Sequence, residues 1–166
     1  MGGTPYFYFV DETGRPEFAL AKLRQREFTA GRYRPGFQMR TGEDWYRFTF
    51  QPDEDWPSPG PAHASIEKAL EASAEEGTCS ILDIQKVSAE PEFMTASLVD
   101  AGQLEAAFGS ARPSRQLLVD AFFGESEFTE TADDFFAEVE RGEARIIPFF
   151  GGDRQTGWLF CGYSID

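Results

Sequence analysis

Apolar and polar positions along the chain alternate between two periods, that of a strand and that of a helix. Thr4-Pro5-Tyr6-Phe7-Tyr8-Phe9-Val10 is a continuous aromatic run closed by the turn residues Asp11 to Gly14, so it predicts a first strand with both faces covered. Trp45 to Phe50 alternates instead. Tyr46, Phe48 and Phe50 share one side, which predicts a strand with one dry face. Phe93 to Leu98 reads as a further short strand. Arg145 to Phe150 and Gly157 to Tyr163, joined by Gly151 to Thr156, read as a closing hairpin. Pro148 cannot donate to a ladder, so the first arm of that hairpin is expected at an edge or at a bulge.

Helical spacing appears in five places. Glu17 to Ala30 carries a loose apolar stripe and meets Gly31, the residue type that best tolerates a left-handed cap. Ser65 caps a helix that Gly77 ends, with Glu67 early in it, where the helix dipole favours a negative charge. Asp100 followed three positions later by Gln103 has the spacing of a capping box, for a short helix through Phe108 stopped by Gly109. Pro113-Ser114 opens the next helix, running to Gly124. Thr131 is expected to cap a third, with Ala132, Phe135, Phe136 and Val139 as its stripe and Gly142 as its end.

The run Gly77-Thr78-Cys79-Ser80-Ile81-Leu82-Asp83-Ile84-Gln85-Lys86-Val87 has the strongest claim to the centre of a sheet. Read as a strand, it puts Leu82 and Ile84 on one face and Ile81, Asp83 and Val87 on the other. The resulting order is β-α-β-α-β-β, three helices, then β-β. It predicts an α+β fold, one domain over residues 1–166, with a mostly antiparallel sheet of about five or six strands and helices packed against it. The ten residues Pro52 to Pro61 contain four prolines and are expected to form a surface loop.

Charge changes the functional picture more than the fold. The net charge of −14 is uneven: residues 1–47 hold eight basic and six acidic side chains, whereas the remainder holds seven basic and 23 acidic. A field of −16 over that remainder argues against direct nucleic-acid binding, which needs a clustered positive face. It suits a basic protein partner. The start of the chain lacks the pattern of a secretory signal, and no apolar run reaches the roughly 20 residues that span a bilayer. The expectation is a cytoplasmic protein with no membrane contact. Cys79 and Cys161 form no metal or redox spacing and are expected to be buried thiols, with a disulfide between neighbouring strands as the alternative.

Candidate chemistry is sparse. His63 is the single histidine, so histidine-based triads and multi-histidine metal sites are excluded by count. No phosphate-cradling glycine loop, nucleophile elbow or EF-hand pattern occurs, and neither metal nor cofactor is expected. Asp83 is the one catalytic candidate, as a general acid or base on the central strand. The bland reading of it is a structural ion pair with an arginine of the first helix, or exposure at a strand end. Glu125 to Glu143 holds eight acids against Arg141 alone. Within it Glu130, Asp133, Asp134 and Glu138 are candidate partner-binding residues, with Asp134 and Glu138 on one helix face. Asp53, Glu54, Asp55 and Trp56 form a second candidate surface, a tryptophan among acids and prolines.

These features put binding ahead of catalysis. The leading expectation is an acidic protein-binding domain, regulatory or of the immunity or inhibitor type, that engages a basic partner. The chain resembles immunity and inhibitor proteins in general character only, and no residue is carried over from them. The alternatives are a small-ligand binder or enzyme with a pocket near Asp83, and an oligomeric scaffold subunit.

Overall fold

The computed structural model describes residues 3–33, 58–123 and 129–165. The expected strand at Trp45 to Phe50, the proline loop before Ser58 and the helix end at Gly124 lie outside them. Five strands make one sheet: β1 (Pro5–Val10), β2 (Lys86–Ser88), β3 (Thr95–Leu98), β4 (Glu143–Gly151) and β5 (Arg154–Tyr163), in the order β1-β5-β4-β3-β2. The β1–β5 and β5–β4 pairs are antiparallel, and the β4–β3 and β3–β2 pairs are parallel. The sheet is therefore mixed, which corrects the mostly antiparallel expectation.

The connections explain the mixture. β4 and β5 form the expected hairpin, and with Gly151 paired to Arg154 its turn is tighter than the expected loop Gly151 to Thr156. β3 and β4 are joined through three helices, a crossover long enough to bring the chain back parallel. β2 is three residues long, so the six residues between Ser88 and Thr95 suffice to return the chain to its starting end. Met94 makes that return in a left-handed conformation, φ 61°.

Helices cover both faces. Tyr6, Tyr8, Val10, Ala144, Ile146, Trp158 and Phe160 face α1 (Pro16–Ala30) and α2 (Ile66–Glu76). Phe7, Phe9, Ile147, Phe149, Leu159 and Cys161 face α3 (Ala101–Phe108), α4 (Arg115–Phe122) and α5 (Glu130–Phe136). Alternation along β1 thus feeds two cores, which is why its sequence is apolar at every position. Pro148 sits on an inner strand rather than at an edge. It is tolerated because β3 pairs with β4 only as far as Ile146, beyond which β4 needs no amide on that side, and the ladder is irregular at Phe149/Phe150.

Most helix boundaries follow their caps. Gly31 ends α1 at φ 76°, Ser65 accepts from the Lys68 amide, and Asp100 with Gln103 forms the full capping box of α3. The last helix differs. Thr129, not Thr131, is its cap, accepting from the Ala132 amide, and the helix stops at Phe136 rather than running to Gly142. Glu138 therefore lies past its end and does not share a helix face with Asp134.

The larger correction concerns Gly77 to Val87. Only Lys86–Ser88 is strand, and it lies at an edge, while Ile81–Asp83 is a 3-10 turn. Cys79 takes φ 51°, which no strand allows, and the Ser80 hydroxyl accepts the Leu82 amide to start the turn. Ile81, Leu82 and Ile84 are all buried, as they would be in a strand. A short apolar run bears the same pattern in a buried strand and in a buried turn.

Candidate interaction surface

Helix α5 lies on a bed of rings. Phe136 packs edge-on against Phe7, Phe135 and Tyr163, with centroids 5.1, 5.5 and 5.4 Å away, and Phe122 meets Phe108, Phe135 and Phe136 at 5.3 to 5.9 Å. Ala132, Phe136 and Val139 are buried beneath it. Thr129 extends the anchorage by donating from its hydroxyl to the Ala121 carbonyl of α4. The apolar face is held on several sides, so the opposite face is presented by a fixed mount.

Glu130, Asp133 and Asp134 of the helix, and Glu138 just past its end, are all exposed. None of the ion pairs among the described residues includes them. The two arginines that follow in sequence are engaged elsewhere. Arg141 donates to the Ile165 carbonyl, while Arg145 pairs with Glu143 at 3.1 Å and donates to the Glu138 carbonyl at 3.0 Å. Asp133 leaves its mark on Tyr163, whose hydroxyl is pushed above its ordinary value first by burial and then by the Asp133 charge. Asp53, Glu54, Asp55 and Trp56 lie outside the described residues.

Asp83 is differently placed. It is fully buried. Its Oδ1 accepts the Thr78 amide at 2.8 Å and the Thr78 hydroxyl at 2.6 Å, and the Ser73 hydroxyl lies 3.0 Å away, also 2.9 Å from the Leu82 carbonyl. Its Oδ2 accepts the Ile165 amide at 3.0 Å. Ser80 and Thr78 hydroxyls meet at 2.8 Å beside it. The chain ends close over this cradle: Thr4 and Ser164 exchange bonds of 2.8 and 3.0 Å, amide to hydroxyl and amide to carbonyl. The arginines of the first helix, from which an ion-pair partner was expected, are engaged elsewhere: Arg24 donates to the carbonyls of Ile84 and Gln85, and Arg26 pairs with Glu27. Amide and hydroxyl donors gathered on one carboxylate are what a structural tie between distant segments requires. The buried Tyr6 hydroxyl is raised well above its ordinary value by burial, then by the Asp83 charge.

Two further groups escaped the reading of the sequence. Glu27 is completely buried, with its carboxylate on Arg32 at 2.7 Å through both oxygens and on the Arg26 Nε at 2.9 Å. The signal was there: Glu27 falls four residues after Leu23 and seven after Leu20, on the buried stripe of α1, with arginines on either side. The second is Tyr33, whose hydroxyl meets His63 Nδ1 at 3.1 Å. Nothing in the spacing of residues 30 apart announces that contact.

Cys79 is half-buried and Cys161 buried, and neither forms a disulfide. Burial pushes the Cys161 thiol up, against a smaller pull from Arg145. Among the described residues no group of three or more His, Cys, Asp or Glu side chains is placed to hold a metal, and no helix is long and apolar enough to cross a membrane. The chain matches no protein-family model, no curated protein and no solved structure.

Proposed function

We propose that this protein is a binding protein whose acidic face, built on α5, engages a basic protein partner. The observation that carries this reading is the state of Glu130, Asp133, Asp134 and Glu138: all exposed, none in an ion pair among the described residues, and with the adjacent arginines drawn away to Glu143 and to backbone carbonyls. Four negative charges left uncompensated on a rigid mount steer a cationic surface and fix its register. The aromatic bed keeps those charges from moving as the partner arrives. Asp83 offers no exposed surface and its oxygens are engaged by backbone and hydroxyl donors, so its geometry favours a structural role over a pocket.

A synthetic arginine-rich peptide of about ten residues tests the reading by amide chemical-shift mapping. The expected result is a set of perturbations centred on residues 130–138 that collapses when salt rises from about 0.05 to about 0.5 M. The quadruple variant E130K/D133K/D134K/E138K should lose those shifts and weaken binding by about tenfold or more. Shifts spread equally over the exposed acids of α2, Glu67, Glu71, Glu75 and Glu76, would overturn it.

A further inference from the structure

Tyr33 follows α1 and is almost wholly buried, stacked between Phe28 at 6.0 Å and the His63 ring at 5.7 Å. Its hydroxyl has three neighbours: the Ala62 amide at 3.2 Å, the His63 amide at 3.3 Å and His63 Nδ1 at 3.1 Å. A phenolic oxygen has two lone pairs and one proton. The two backbone amides are donors only, so they occupy the lone pairs, and the hydroxyl proton must go to Nδ1. That makes Nδ1 an acceptor and leaves the imidazole proton on Nε2. A second proton, on Nδ1, would point at an oxygen with no acceptor capacity left.

The contact joins two elements. Around it the Gly60 amide donates to the Ala30 carbonyl at 3.0 Å, and Arg32 Nη1 reaches the Ser58 hydroxyl at 3.4 Å, so residues 58–63 lie across the end of α1. A side chain at Gly31 would meet the Gly60 carbonyl oxygen at 1.9 Å, which shows how closely the two backbones approach. Among the described residues, charged groups that flank the contact in sequence are engaged with other partners. Arg26 and Arg32 are both paired with Glu27, and Glu67 of α2 is bonded to the Ser65 hydroxyl at the cap. Among the described residues no carboxylate is hydrogen-bonded to the imidazole.

We propose that Tyr33 and His63 form a pH-sensitive latch that fastens residues 58–63, the approach to α2, onto the end of α1. The latch is closed while His63 is neutral and opens as it takes up a proton, so closure is present at higher pH and lost as pH falls. It is independent of the acidic face. Because the chain has a single histidine, imidazole signals followed as the pH is changed come from one side chain.

Nitrogen-detected NMR of the imidazole, with amide protection factors for residues 58–63, tests it in the full chain. The expected state at about pH 7.5 is the Nε2-protonated tautomer. Protection of Ala62 and His63, corrected for intrinsic exchange, should fall by about five- to tenfold as the imidazole protonates. His63→Asn keeps an acceptor near Nδ1 without a titrating group, and Tyr33→Phe removes the hydroxyl. Both should abolish the pH step, the first leaving residues 58–63 protected and the second leaving them open. A proton on Nδ1 at neutral pH, or the same pH step in His63→Asn, would overturn the proposal.

Discussion

Asp83 and Glu27 are both carboxylates with no exposed surface, and each is made tolerable in a different way. Glu27 meets two guanidinium groups, so charge answers charge. Asp83 meets amides and hydroxyls, and its two oxygens hold separate parts of the chain: Oδ1 the Ser73–Thr78 region, Oδ2 the amide of Ile165. Asp83→Asn keeps an oxygen for Thr78 but places an amide NH2 opposite the Ile165 N–H, donor against donor. The substitution should destabilise the fold by about 2–4 kcal/mol in chemical denaturation, with the largest loss of amide protection at Ile165. A loss below about 0.5 kcal/mol would show that the cradle does not tie the chain ends.

At the level of elements, local chemistry sets where helices begin and end, and tertiary contacts decide which of those boundaries are hard to move. The capping box of α3 satisfies backbone groups at a solvent-exposed helix start. Asp100→Ala should therefore cost only about 1 kcal/mol. Gly31 has a left-handed φ of 76° and no room for a methyl group beside the Gly60 carbonyl. Gly31→Ala should exceed the Asp100→Ala loss by about 1 kcal/mol or more, measured as the difference in unfolding free energy between the two variants. Equal losses would mean that the crossing of residues 58–63 over α1 yields easily. The contrast also explains the short α5. Thr129 and Thr131 are both adequate caps by residue type, and the bond from Thr129 to the Ala121 carbonyl, which a sequence does not display, favours the earlier one.

Over the whole molecule, a net charge of −14 opposes compaction, and the surface ion pairs among the described residues, such as Arg15–Glu17 and Lys68–Glu71, are exposed. Salt should therefore stabilise the protein. Raising ionic strength from about 0.02 to about 0.3 M should lift Tm by a few degrees through screening of self-repulsion, read by scanning calorimetry with a chloride salt. A falling Tm would show that paired charges dominate. The same charge distribution was legible from the sequence, and so were the five helices among the described residues, the hairpin, the two-sided burial of β1 and the exposed acids of α5. The burial of Glu27 was legible only in hindsight, from its place on the stripe of α1.

What the amino-acid order determined by itself was local: caps, turns, the period of each apolar run and the imbalance of charge, all of which depend on neighbours a few positions apart. What the tertiary structure decided was the direction of strand pairing, the 3-10 turn at Ile81–Asp83 and the meeting of Tyr33 with His63. Each of these depends on groups brought together from far along the chain. Parallel and antiparallel neighbours bury the same side chains, and a buried turn and a buried strand show the same apolar run, so periodicity has no term that separates them. The separation comes from backbone hydrogen bonds and from the donors that gather around one carboxylate, and those exist only once the chain has folded.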